Sequence, residues 1–228
     1  MYDASTGAMQ ELTASDGHKL DCWMQPAQVQ RKGGLVILQE IFGVTDQLKG
    51  LARRFAALGY EVAIPALFDR LGGKGRIVPF ADGTPGRDMM LASNLDQTMM
   101  DVDAAVQSVK ADGGKVGVIG FCWGGGLALR AAQVLDIAGA VAFYGTRLKQ
   151  YLDRPLRAPM QGHYGTKDGH VPAEMLAEAK AYLPDWEVYT YEGADHAFAN
   201  DARPDFYSPE AAALALQRTE AFLKKHVG

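Results

Sequence analysis

The sequence predicts an α/β protein with a doubly wound, mostly parallel sheet and helices on both faces. Short apolar runs of strand length alternate with segments whose apolar residues recur every three or four positions, as βαβ units require. The run at 34–38, GLVIL, is apolar throughout, as in a strand covered on both faces. No repeat or linker divides the 228 residues, and a chain of this length can bury a sizeable core. We therefore expect a single domain over 1–228.

Each predicted element has a local signal. The first two strand-like runs flank the turn 15–18, which indicates a hairpin. The first helix is expected to end at Gly59, and the helix over 99–109 at Asp112-Gly113-Gly114. The predicted strands lie at 10–14, 19–24, 34–38, 61–65, 116–119, 139–144, 159–164 and 186–191. The predicted helices lie at 48–58, 99–109, directly after Cys122, 173–183 and 209–226.

The segment 68–96 shows little periodicity and carries several glycines together with Pro79 and Pro85. A loop of this length inside a compact domain is usually functional. We therefore expect a loop or wall near the active site at 68–96.

Composition limits the partners and the setting. A net charge of −4 and a pI near 5.7 argue against nucleic acid or an anionic membrane as a partner. Two cysteines form neither a disulfide framework nor a metal-binding pattern. Neither a signal peptide nor an apolar run of about 20 residues is visible, so we expect a cytoplasmic protein. Oligomeric state is not readable from the pattern, and we expect a monomer or a small homo-oligomer.

The run Gly120-Phe121-Cys122-Trp123-Gly124 ends an apolar strand and opens a helix, with the spacing of a nucleophile elbow. A nucleophile on such a turn has a strained backbone, so its neighbours two positions away must lack side chains. The N-terminal N–H groups of the helix favour a thiolate. The segment lacks the lysine of a phosphate-binding loop. The alternative for Cys122 is a buried structural cysteine, the role we expect for Cys22.

A cysteine nucleophile needs a base and a group that orients the base. Of five histidines, His196 is the best candidate, because it follows the last strand and precedes the last helix. Asp168 follows the preceding strand, so the chain order is nucleophile, acid, base, as in an α/β-hydrolase. Asp195 is the rival acid, and an Asx turn or helix N-cap is the alternative for Asp168.

Two of the other histidines differ in their position relative to the predicted strands. His170 also follows a strand at the active edge of the sheet, whereas His163 lies within a predicted strand and is expected in the core.

Glu40 and Ile41 directly follow the buried strand at 34–38. In an α/β-hydrolase this loop gives one oxyanion-hole N–H, and the residue after the nucleophile gives the other. We therefore expect Ile41 and Trp123 as donors. A carboxylate at Glu40 close to Cys122 would keep the sulfur protonated until substrate arrives. The alternative is a salt bridge from Glu40 to an arginine such as Arg53 or Arg54.

Four motifs resemble the dienelactone hydrolase (carboxymethylenebutenolidase) family. They are 39–43 (QEIFG), 120–125 (GFCWGG), 165–172 (GTKDGHVP) and 194–198 (ADHAF). The resemblance implies an α/β-hydrolase fold without a large cap, a Cys-His-Asp triad, and neither metal nor cofactor. It also implies ring opening of a small ester or lactone such as a dienelactone, with Glu40 activating Cys122.

The resemblance makes Tyr144, Phe198, Arg87 and Arg203 candidates for binding substrate, and Arg76 is the alternative to Arg87 in the segment 68–96. One family arginine lies four residues after the catalytic histidine, and that position is Asn200 here. The loss weakens the case for an anionic lactone. Two alternatives stay open: a carboxylesterase of broad specificity in the same family, and a redox-sensing protein with this fold and no turnover.

Overall fold

The computed structural model describes residues 6–110 and 114–228. The chain divides into two compact units, of which the first extends to Gly117 and includes Val227. The second unit comprises Val118–His226 and Gly228.

In the first unit, β1 (Ala8–Thr13), β2 (Lys19–Gln25), β3 (Gly33–Leu38) and β4 (Tyr60–Pro65) lie in the order β1-β2-β4-β3. β1 pairs antiparallel with β2, and β2 antiparallel with β4, whereas β3 and β4 are parallel. The helices of this unit are α1 (Asp46–Ala57), α2 (Asp69–Gly72), α3 (Thr84–Ala92) and α4 (Leu95–Lys110).

Local chemistry explains these elements. Every residue of β3 is buried, which confirms the reading of its continuous apolar run. Thr45 caps α1 by accepting the Leu48 N–H at 3.4 Å. The predicted stop of this helix is confirmed, since Gly59 follows the C-cap with φ 101°. Of the predicted stop of the helix over 99–109, Asp112 and Gly113 lie outside the described residues, and Gly114 has φ 93°.

The reading of 68–96 as a continuous loop is wrong in its secondary structure, because α2, α3 and the start of α4 lie there. The helix α3 has Pro85 in its first turn, and Gly86 is its one buried residue. A helix with so little buried surface has no apolar stripe, so periodicity could not reveal it. A Cβ at Gly86 would lie 1.8 Å from the Ile41 carbonyl oxygen, so glycine allows α3 to approach that loop.

In the second unit the strands are β5 (Val116–Phe121, from Val118 on), β6 (Gly139–Phe143), β7 (Met160–Gly165) and β8 (Trp186–Tyr191). Their order is β5-β6-β7-β8, and the pairs β6-β7 and β7-β8 are parallel. The helices are α5 (Trp123–Val134), α6 (Ala173–Tyr182) and α7 (Pro209–His226), with a 3₁₀ turn at Leu148–Tyr151. None of the helices in the described ranges has the length and apolar surface that a membrane span requires.

His163 lies in the core, as its position in a strand predicted. It is 0 % exposed, and its Nδ1 lies 2.8 Å from the Tyr191 hydroxyl. Its Nε2 lies 3.0 Å from Oε1 of Gln161. Burial and the charge of Arg218 lower the pKa of His163 to about 3, so the ring is neutral at ordinary pH.

A buried ion pair in the first unit gives a stability prediction. Arg70 Nε lies 2.7 Å from Asp101, whose side chain is 1 % exposed. Arg70→Met leaves this buried carboxylate without its guanidinium, so we expect the free energy of unfolding to fall by about 3 kcal/mol. The measurement is urea denaturation followed by circular dichroism.

The matched control is Arg87→Met. The Arg87 side chain is 62 % exposed and lies 3.7 Å from Asp88, so its loss should change the free energy of unfolding by less than about 0.5 kcal/mol. Equal losses in the two variants would contradict the importance of burial at Asp101.

Candidate active site

Cys122 lies on the sharp turn between β5 and α5. It is the N-cap residue of α5, with φ 53° and ψ −115°, a conformation that residues with a Cβ rarely adopt. Its N–H donates to the Phe143 carbonyl at 3.0 Å, and its carbonyl accepts from the Thr146 N–H at 3.0 Å. Backbone hydrogen bonds on both sides therefore hold the strained residue in place.

The glycines around the turn have the steric role that the sequence predicted. A Cβ at Gly120 would lie 1.8 Å from the Gly124 carbonyl oxygen, which no real Cβ does. A Cβ at Gly125 would lie 2.6 Å from the Cα of Gly145. The turn can therefore close only if these positions carry no side chain.

The two cysteines differ in their surroundings. Cys22 is 0 % exposed in β2, and burial raises the pKa of its thiol, as expected for a structural cysteine. Cys122 is partly accessible at the N-terminus of α5, where the helix dipole favours negative charge on sulfur. Both thiols are free.

The second unit brings His196 together with Cys122 and Asp168. His196 lies in the loop between β8 and α7, and its Nδ1 is 2.8 Å from Asp168 Oδ2. The ring also hydrogen bonds to Cys122, and Nε2 is the nitrogen left for this contact. Burial disfavours the imidazolium, but the charges and hydrogen bonds of Cys122 and Asp168 outweigh it and raise the pKa of His196.

Asp168 follows β7 and is 4 % exposed. Its two oxygens have different partners, since Oδ1 accepts the His170 backbone N–H at 2.8 Å and Oδ2 faces His196. The Asx turn and the contact with histidine, given above as alternatives, are therefore both present. The N-cap alternative is wrong, because the N-cap residue of α6 is Pro172.

Asp195, the rival acid, makes a different contact. Its Oδ1 accepts the backbone N–H of His196 at 2.6 Å rather than a ring N–H. His170 has a contact that the sequence did not reveal, because its ring centroid lies 4.5 Å from that of His196. The signal was the position of His170 two residues after Asp168.

The aromatic residues predicted for the site are all buried, and one of them contacts the His196 ring. Tyr144, with φ 39°, presents its ring to His196 at a centroid distance of 5.1 Å. Phe198 lies 5.5 Å from Tyr144 and, like it, is 0 % exposed. Trp123 is the first residue of α5 and is buried. The predicted roles of Tyr144 and Phe198 in binding substrate, and of the Trp123 N–H, stay predictions.

The arginine candidates for substrate binding, and Asn200 at the position of the family arginine, have different surroundings. Arg203 stacks over Phe206 at 4.3 Å, and its charge acts on His170. Asn200 is 1 % exposed. Arg87 belongs to the first unit and pairs with Asp88 at the surface. The contacts of Arg87 and Arg203 with substrate stay predictions.

Glu40 and Ile41 belong to the first unit, directly after β3. The Gln39 side chain fixes this loop, donating to the Glu40 carbonyl at 3.2 Å and accepting the Leu67 N–H at 3.1 Å. Glu40 is 5 % exposed. The roles predicted for Glu40 and Ile41 beside Cys122 stay predictions, and so does the alternative salt bridge of Glu40.

Within the described residues, no group of three or more His, Cys, Asp or Glu side chains is placed to hold a metal ion. The chemistry that the second unit offers is that of a thiol, an imidazole and a carboxylate in series.

The parallel strands with alternating helices, and a turn of this geometry at the end of β5, define an α/β-hydrolase. The chain belongs to the dienelactone hydrolase family, whose model matches residues 22–227. The fold class predicted from the sequence is thereby confirmed. Family and relatives together make the chain a carboxylic ester hydrolase, similar to carboxymethylenebutenolidase.

Individual relatives agree with this assignment. The carboxymethylenebutenolidase of Pseudomonas putida is 29% identical, over 93% of this chain and 94% of its own length. A protein of Escherichia coli strain K12, provisionally assigned the same activity, is 33% identical over 78% of this chain and 71% of its own length. The crystal structure of a provisionally assigned dienelactone hydrolase from Klebsiella pneumoniae is 25% identical, with a TM-score of 0.81 over 97% of this chain and 100% of that one.

The turn at Cys122 gives a second stability prediction. Gly120→Ala places a Cβ against the Gly124 carbonyl, so the backbone must move, and we expect a loss of about 3 kcal/mol in the free energy of unfolding. The control is Gly169→Ala, whose Cβ meets nothing within 4 Å and should change it by less than about 0.5 kcal/mol. Urea denaturation measures both, and unchanged stability of Gly120→Ala would refute the steric explanation.

Proposed function

We propose that this chain hydrolyses small carboxylic esters or lactones with Cys122 as nucleophile, through a thioester acyl-enzyme. The observation that carries the proposal is the hydrogen bonding of one imidazole, His196, to both Cys122 and Asp168. A base between a nucleophile and an orienting acid is the arrangement that nucleophilic catalysis requires.

In the first half of the reaction the Cys122 sulfur attacks the carbonyl carbon, and its proton passes to His196. The carbonyl oxygen becomes an oxyanion, which the backbone N–H groups of Trp123 and Ile41 stabilise. As the tetrahedral intermediate collapses, the carbon–oxygen bond breaks and His196 returns the proton to the leaving alkoxide. An ester thus releases an alcohol, whereas a lactone keeps the new hydroxyl on the acyl chain.

In the second half, water attacks the thioester carbon while His196 takes a proton from the water. The carbon–sulfur bond breaks, the sulfur regains its proton, and the carboxylic acid leaves. Asp168 accepts the Nδ1 hydrogen in both halves and so keeps Nε2 directed at the sulfur. His196 carries the added positive charge each time, and the carboxylate stabilises it.

The catalytic stabilisation that this site can provide is sufficient for activated acyl groups. One oxyanion donor is typically worth about 3–4 kcal/mol, and a general base adds about 3–5 kcal/mol. These contributions favour esters and strained lactones over peptide bonds.

For Glu40 and Ile41 the support comes from the sequence pattern and the family resemblance. We propose that the Glu40 carboxylate keeps the Cys122 sulfur protonated until substrate arrives, when the proton passes to His196. We also propose that Ile41 gives the second oxyanion N–H. The binding roles of Tyr144 and Phe198, and of Arg87 and Arg203, belong to the same proposal. The cytoplasmic location and the monomeric or small oligomeric state stay predictions.

The nucleophile is tested by three variants assayed with p-nitrophenyl acetate. Cys122→Ala should lower kcat/KM at least about a thousandfold, since no other group forms the thioester. Asp168→Asn should have a loss of similar size, because an amide holds the imidazole in the wrong tautomer. The control Cys22→Ala should retain wild-type kcat/KM.

Iodoacetamide labelling with mass mapping checks the same assignment without turnover. Cys122 should be alkylated while the buried Cys22 is spared. Undiminished hydrolysis by Cys122→Ala would remove the nucleophile. A Cys122 that is oxidised by peroxide but forms no acyl-enzyme with any ester would favour the redox-sensing alternative.

The charge preference of the substrate separates a dienelactone hydrolase from a broad carboxylesterase. Asn200 stands where the resemblance leads us to expect arginine, so a carboxylate on the substrate loses a charge-assisted hydrogen bond. We compare a dienelactone whose carboxylate is free with the same compound as its methyl ester, and we follow the opening of the lactone ring. We expect kcat/KM to be about tenfold higher for the methyl ester. A tenfold preference for the acid would instead identify another cationic group in the site.

A further inference from the structure

The turn that follows β7 connects two histidines through one carboxylate. Oδ1 of Asp168 accepts the backbone N–H of His170 at 2.8 Å, and Oδ2 lies 2.8 Å from Nδ1 of His196. The hydrogen bond to His170 N–H fixes the carboxylate relative to the turn. The same bond places the His170 side chain at the site.

The rings of the two histidines are in contact. Their centroids are 4.5 Å apart, with an angle of 56° between the planes. Tyr144 contacts the His196 ring at 5.1 Å. The imidazole of His196 therefore contacts two rings while its nitrogens face Asp168 and Cys122. Part of the His170 side chain is accessible to solvent, so the ring can exchange protons with it.

The charged groups that act on His170 lie in its own turn after β7 and in the segment between β8 and α7. Partial burial and the charge of His196 lower the pKa of His170, and the charge of Arg203 acts in the same direction. Asp168 and Asp195 act against them. A charged His196 therefore disfavours a second positive charge on His170, and the two rings resist double protonation.

Resting on the proposed function, we propose that His170 is a positioning residue for His196. The neutral His170 ring holds the His196 imidazole between Asp168 and Cys122, and protonated His170 opposes the imidazolium that both halves of the reaction need. The physical reason is the short distance, since two positive rings 4.5 Å apart repel strongly at the partly buried site. Hydrolysis therefore falls as the pH drops through the pKa of His170.

Two substitutions separate packing from charge. His170→Phe keeps a ring that does not titrate, and His170→Lys brings a permanent positive charge without a ring. The experiment compares kcat and KM for p-nitrophenyl acetate between pH 4.5 and pH 8. His226→Phe, at the end of α7, is the matched control for loss of a histidine.

In the wild type, protonation of His170 should contribute to the fall of kcat at low pH. In His170→Phe this contribution should be absent. One pH unit below the pKa of His170, the phenylalanine variant should therefore be about tenfold faster than wild type. At pH 8, His170→Lys should lose about tenfold in kcat with little change in KM, because the repulsion acts on His196 and not on substrate. His226→Phe should follow wild type throughout.

Coincident acid limbs in wild type and His170→Phe would overturn the proposal, as would wild-type kcat in His170→Lys. An NMR titration tests the coupling without turnover. The variant His196→Gln removes the charge of His196. The pKa of His170 should then rise toward its ordinary value of 6.5. An unchanged His170 pKa in that variant also overturns the proposal. Failure of the proposed function is distinct, since it appears as full activity of Cys122→Ala.

Discussion

The strained backbone of Cys122 is the constraint on which the arrangement of the second unit depends. A residue with φ 53° costs about 1–3 kcal/mol, which surrounding contacts must offset. Hydrogen bonds to Phe143 and Thr146 supply part of that stabilisation, and both partners lie on or just after β6. The missing side chain at Gly120 lets α5 begin directly against β5. The direction of the sulfur is therefore set by sheet packing rather than by Cys122 itself.

Two buried histidines of the same unit show how their partners decide charge. His163 hydrogen bonds to neutral groups, the Tyr191 hydroxyl and the Gln161 amide oxygen, and burial together with the positive charge of Arg218 lowers its pKa to about 3. His196 is also buried, yet its pKa is raised because its partners, Asp168 and Cys122, carry or can carry negative charge. Burial strengthens those attractions as well as penalising the charge. An imidazole held in this way accepts a proton readily, which is what the proposed mechanism asks of it.

Most of the fold could be predicted because its elements have strong local patterns. Trp186–Tyr191 and Pro209–His226 have the bounds that alternation and helical periodicity indicated. The helix α3 escaped prediction, since it buries little more than Gly86. The meeting of Cys122, Asp168 and His196 followed from their chain order and the shared edge of parallel strands. The contact of His170 did not, because the direction of a side chain on a turn depends on hydrogen bonds that the sequence does not specify.

The contrast between the two cysteines shows that position, not residue type, makes a nucleophile. Cys22 and Cys122 are chemically the same, and both are free thiols. Cys22 lies within a strand, where burial raises the pKa of its thiol and its Sγ lies 3.9 Å from the Trp23 carbonyl oxygen. Cys122 has a helix N-terminus on one side and His196 on the other, and both favour negative charge on sulfur. The elbow supplies the geometry and His196 supplies the electrostatics. Cys22 has neither, and an elbow without His196 would lack the base, so neither could perform the proposed reaction.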